Sequence, residues 1–67
     1  MHIALLPNDS FRMELSDEEL CILMACINDA LELGEGEFQA RVGAEPKEAR
    51  EFLRIMAAAR KRANPNL

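Results

Sequence analysis

Sixty-seven residues with a net charge of −4 set the scale of one small domain, and 49% hydrophobic residues exclude a disordered chain. A chain this short hides only about 60% of the surface its unfolded form exposes, so it needs close packing, a staple or a partner chain. No run approaches the roughly 20 apolar residues that cross a bilayer, the Ile3–Leu6 stretch is too short for a signal peptide, and the three glycines make no phosphate-binding loop.

Aromatic residues are 4% of the chain and all phenylalanine, so Leu, Ile, Met and Ala must build the core. Cys21 and Cys26 lie about 500° of helical rotation apart, which suits neither a disulfide nor a Cys-x-x-Cys site. Free, buried thiols in a reducing, cytoplasmic setting are expected.

Residues 1–15 read as a β-hairpin. Ile3-Ala4-Leu5-Leu6 precedes the turn formers Pro7-Asn8-Asp9-Ser10, and Phe11-Arg12-Met13-Glu14-Leu15 then alternates with Phe, Met and Leu on one face. A lone hairpin is marginal in water, so it should lie on helices or meet another chain. Its open edge is a natural dimerisation surface.

Ser16 and Glu19 form a capping-box pair, and Asp17, Glu18 and Glu19 suit the positive end of a helix dipole. Leu20, Leu23, Met24, Ile27, Ala30 and Leu31 recur at threes and fours. Gly34 is the expected left-handed stop. Helix one is therefore placed over residues 16–34.

Residues 37–43 fit a short helix ending at Gly43, although Phe38, Ala40 and Val42 also alternate as a strand would. Pro46 suits the first position of a further helix over 45–63, whose last turn carries Arg60, Lys61 and Arg62. Ala49, Phe52, Leu53, Ile55, Met56 and Ala59 make its expected buried stripe. A frayed tail occupies 64–67. The expected fold is α+β and mostly helical: an N-terminal hairpin packed on an antiparallel pair of long helices, with the short helix between them. The two long helices should meet through Leu20, Leu23, Ile27, Leu31, Phe52, Leu53 and Met56.

Catalysis is not expected. His2 is the only histidine, with no nucleophile or carboxylate paired to it in the sequence. Asp29, Glu32, Glu35 and Glu37 cluster near the end of helix one, but without the Asp-x-Asp-x-Asp-Gly order of a calcium loop. No metal or cofactor is expected, and a solvated acidic surface explains the cluster as it stands.

Charge is divided along the chain. Residues 1–45 set ten carboxylates against Arg12 and Arg41, whereas residues 46–67 set six cations against Glu48 and Glu51. Those halves, −8 and +4, give the overall −4. The acidic half suggests a face of Asp17, Glu18, Asp29, Glu32 and Glu35 that meets a basic protein partner. Lys47, Arg50 and Arg54, continued by Lys61, share one face of helix three. That face serves either to pair with the acidic helix or to contact nucleic acid. The stretch from Phe38 to Leu53 has the order of a helix-turn-helix. Gln39 stands where that motif usually packs an alanine, and Glu45, Glu48 and Glu51 flank the phosphates. DNA binding is therefore the secondary reading, and a structural subunit of a larger assembly the third. A homodimer is expected because the apolar share is large for so short a chain.

Leu15-Ser16-Asp17-Glu18-Glu19-Leu20, Ile27-Asn28-Asp29-Ala30-Leu31-Glu32 and Glu37-Phe38-Gln39-Ala40-Arg41-Val42-Gly43 together resemble short bacterial proteins similar to the immunity proteins of polymorphic toxin systems. The resemblance covers about residues 15–55 and carries over no catalytic residue. It implies a non-enzymatic inhibitor of a basic, nuclease-like toxin, with Glu37, Phe38, Arg41 and Gly43 as motif positions. On that resemblance Phe38 enters the core and Arg41 ties to a helix-one carboxylate.

Overall fold

In the computed structural model, which describes residues 1–66, the order is β1 (His2–Leu5), β2 (Phe11–Glu14), α1 (Asp17–Ala30), α2 (Glu35–Val42) and α3 (Pro46–Ala63). The fold is α+β and mostly helical, with the hairpin packed against the helices. Of the expected frayed tail, Asn64–Asn66 form no regular helix and residue 67 lies outside the described residues.

The hairpin closes through a three-residue loop. Leu6 N–H donates to Ser10 O at 2.8 Å and Asp9 N–H to Leu6 O at 3.1 Å, with Asp9 at φ 62°. A turn followed by one left-handed residue is a standard three-residue hairpin connection, and Asp tolerates that backbone region better than most residues. Pro7 sits where its fixed φ favours the turn, and the Asn8 side chain accepts from the Ser10 hydroxyl.

The antiparallel register pairs His2 with Glu14, Ile3 with Met13, Ala4 with Arg12 and Leu5 with Phe11. Directly opposed residues share a face, so Ile3, Leu5, Phe11 and Met13 lie together. This face was expected to cover the helices, yet all four side chains are about half to two thirds exposed. The half-buried positions of the segment are Ala4, Leu6 and Leu15. Period-2 alternation defines two faces without saying which of them is covered.

At the start of α1, Glu19 N–H donates to Ser16 Oγ at 3.1 Å and Ser16 N–H to Glu19 Oε1 at 2.9 Å, the reciprocal pair read from the sequence. Its end differs from expectation. The helix closes at Ala30, where Glu32 N–H reaches Asp29 O and Leu33 N–H reaches Ala30 O, both tight i→i+3 contacts. The chain has therefore left the helix before Gly34, whose φ of −59° caps the start of α2 instead of stopping α1. Gly43 does stop α2 in the left-handed conformation, at φ 80°, and Val42 ends a helix, not a strand.

α1 and α3 run antiparallel: Arg60 near the end of α3 meets Asp17 at the start of α1, while Leu31 and Pro46 line one cleft at the other end. Leu20, Leu23, Ile27, Leu31, Leu53 and Met56 are half-buried along this pair. Phe52 and Ile55 are not part of the covered stripe, being 53% and 52% exposed. α3 packs on α1 along its length and on the short α2 only near its start, so its covered face is narrower than its apolar pattern offers. Among the described residues the buried ones are Phe38 of α2, 1% exposed, with Pro46 and Ala49 at the start of α3. The tightest core is this small corner where α2 meets α3.

Candidate partner-binding surface

The five carboxylates of the candidate acidic face fall into two groups. Asp17 is engaged: Arg60 Nε donates to its Oδ1 at 2.8 Å and Arg60 Nη2 to its Oδ2 at 3.2 Å. That forked bond holds the Asp17 carboxyl below the usual carboxylate range and raises the Arg60 guanidinium. Glu18, Asp29, Glu32 and Glu35 have no ion-pair partner among the described residues, and all four are exposed.

Within α1, Glu18, Ile22, Ala25 and Asp29 follow at intervals of four, three and four, so they form one row on the outward side. Ile22 stands in this row 58% exposed. The sequence reading missed it. The available signal was that Ile22 falls off the stripe made by Leu20, Leu23 and Ile27. Cys26, expected to be buried, is exposed beside this row, whereas Cys21 is half-buried, and both are free.

Asp29 and Glu32 sit at the end of α1 where the dipole is negative. The last turn contains no basic residue to offset them. Glu18 gains from its first-turn position; Asp29 and Glu32 lose from theirs. Glu35 opens α2 and lines a cleft of about 160 Å³ with Leu31, Leu33, Glu45, Pro46, Lys47 and Arg50. This cleft brings the end of the acidic group against the start of the basic helix.

On α3 the candidate cations are partly used internally. Lys47 Nζ lies 3.2 Å from Glu45 Oε2, and Arg54 forks onto Glu51, its Nε donating at 2.9 Å. Among the described residues Arg50 and Lys61 have no ion-pair partner. The broad cross-chain pairing of basic and acidic helices reduces to Arg60 with Asp17. An open groove between α1 and α3 runs past Met24, Asn28, Leu31, Leu53 and Ala57, with Arg50 and Arg54 along its rim.

The motif positions resolve individually. Phe38 is in the core. Arg41 pairs at 2.7 Å with Glu37 one turn back on its own helix, not with a carboxylate of α1. The shorter reach wins, since an i,i+4 pair needs no tertiary alignment. Gln39 is exposed and its carbonyl accepts from Gly43 N–H at 2.9 Å. His2 is exposed in β1. Among the described residues, no three His, Cys, Asp or Glu side chains gather as a metal site would. Among the described residues, no helix is long and apolar enough to cross a membrane.

These features define a small α+β chain with an uncompensated acidic helix face. Comparison with protein families, with characterised proteins and with solved structures finds no match to it.

Proposed function

We propose that this chain is a non-catalytic protein-binding module of the cytoplasm, acting through Glu18, Ile22 and Asp29 of α1 with Glu32 and Glu35 beyond its end. Its partner is a basic protein, which the acidic face inhibits as an immunity-type protein would, or bridges as an adaptor. The observation that supports this most is the position of Asp29 and Glu32, exposed, unpaired and set against the dipole of α1. Stability would favour Lys or Arg there. Carboxylates that oppose their own helix are free to meet positive charge from outside, where complementary fields speed and orient association. Ile22 supplies an apolar contact between Glu18 and Asp29 on the outward row of α1, apolar and charged groups side by side as in a transient interface.

The double substitution Asp29→Lys, Glu32→Lys separates the two roles. It should raise the thermal midpoint slightly while releasing a basic protein that wild type captures from host lysate after nuclease treatment. Capture unaffected by this charge reversal would remove the acidic face from the account.

The alternative is a dimeric helix-turn-helix-like regulator using Lys47, Arg50, Arg54 and Lys61. The three-residue turn Gly43-Ala44-Glu45 between α2 and α3 favours it. Against it, Lys47 and Arg54 are already neutralised by Glu45 and Glu51. Recovery of nucleic acid alone, and only without nuclease, would select this reading.

A further inference from the structure

We propose that the open apolar face of the β1–β2 hairpin, formed by Ile3, Leu5, Phe11 and Met13, is the contact surface between two copies of this chain. The proposal concerns a different surface from the acidic face of α1 and stands independently of it.

The first argument is area. A folded monomer of 7.5 kDa should expose about 4,200 Å². This chain exposes 5296 Å². The excess, on the order of 1,000 Å², compares with the roughly 800 Å² that each partner gives up in a standard stable interface. The shape agrees. The Cα radius of gyration is 13.6 Å, against about 11 Å for a compact chain of this length. The extents are 36 × 34 × 16 Å, a slab with one thin dimension.

The second argument is where the excess lies. Among the described residues, five of the nine exposed large hydrophobic side chains belong to the first thirteen: Met1, Ile3, Leu5, Phe11 and Met13. The register places Ile3 against Met13 and Leu5 against Phe11, so four of them form one contiguous patch without a charge inside it. Arg12 and Glu14 pair with Ala4 and His2 on the opposite face. A two-stranded ribbon left with such a face in water is marginal. Packing it against a second sheet is the ordinary remedy.

The third argument selects a second copy over other occupants. A two-fold dimer sets the same patch of each copy against itself, and the four-residue hairpin patch is apolar throughout, so Phe11 of each copy can meet the aliphatic residues of the other. A charge of −4 per chain disfavours an anionic bilayer as the alternative cover. Between two chains of charge −4, an uncharged patch sets no like charges against one another, and the hairpin provides one.

Sedimentation equilibrium of the full chain tests this. Wild type should run as two chains and dissociate on dilution, and Leu5→Glu with Phe11→Glu should weaken the dimer at least a hundredfold. Ile22→Glu, on the outward row of α1, should leave it intact. Should the double variant not fold, wild type still carries the test, because a dimer's thermal midpoint rises with protein concentration. A single-chain mass with a concentration-independent midpoint would overturn the proposal. So would a dimer indifferent to the hairpin substitutions, or one broken by Ile22→Glu. Loss of the dimer without loss of capture by the acidic face would separate the two surfaces.

Discussion

Phe38 and Phe11 are the same side chain in opposite circumstances. Phe38, in α2, is 1% exposed; Phe11, in β2, is 68% exposed. The helical half of the molecule completes its small core within one chain, at the corner where Pro46 and Ala49 begin α3. The hairpin is ordered by its backbone ladder, its loop and one terminal ion pair, while the apolar side chains of its outer face, Ile3, Leu5, Phe11 and Met13, remain uncovered. Local order and burial are separate achievements, and the two halves of this chain divide them.

Alanine at the two positions gives the largest expected contrast. Phe38→Ala should cost about 3–5 kcal/mol, the usual range for emptying an aromatic site in a core. Set against total stabilities of about 5–15 kcal/mol, that is enough to abolish a cooperative melt in a chain this small. Phe11→Ala should change the stability of dilute protein by no more than about 0.5 kcal/mol, as exposed substitutions do. Urea titrations followed by circular dichroism measure both. Equal costs would mean that the hairpin belongs to the core of the single chain, and the contrast would be gone.

A second contrast concerns two glycines read alike from the sequence. Gly43 is left-handed at φ 80° and Gly34 is not, at φ −59°, and a Cβ at either would meet nothing within 4 Å. Only the backbone therefore decides. Gly43→Ser should cost roughly 1–2 kcal/mol, the penalty for a side chain in the left-handed region. Gly34→Ser should stabilise by a few tenths of a kcal/mol, because it adds a cap to α2 and restricts the unfolded chain. Changes of the same sign would place the stop of α1 back at Gly34.

Features fixed by neighbours in sequence were legible: the Ser16–Glu19 box, the Pro46 start of α3, the Gly43 stop and the strand alternation each depend on contacts within a few residues. What failed depends on what lies across from an element. Phe52 and Ile55 carry the right spacing for a buried stripe, but α1 and the short α2 together cover only part of it. Phe11 and Met13 alternate correctly, yet alternation cannot choose the covered face. In the same way, the acidic character of α1 was visible, while the division between the engaged Asp17 and the free Glu18, Asp29 and Glu32 required the position of Arg60. Ile22 was passed over because an apolar residue off the stripe has no periodic signature of its own.

The smallest expected effect lies at the joint between the two halves. The Met1 amino group approaches Glu19 Oε2 at 2.7 Å, on a side chain one third exposed. The hydrogen bond from this amino group, followed by that from Ser16 N–H, lowers the Glu19 carboxyl to about 2 from an ordinary 4.5. A depressed carboxylate contributes stability that is fully present above its unfolded value and is lost as pH falls through the folded one. The contribution of this joint should therefore be complete above pH 4.5 and disappear between 4.5 and 2. An exposed pair is screened by solvent and salt, so the effect on the global melt should be slight. Its clearer trace is local. Amides of β1 and β2 should exchange faster than those of α1 as pH falls through this window, after correction for intrinsic rates, and Glu19→Gln should show that faster hairpin exchange already at neutral pH. Hairpin and α1 amides responding together in both experiments would mean that the hairpin and helices open as one unit, and that the division between them is one of burial alone.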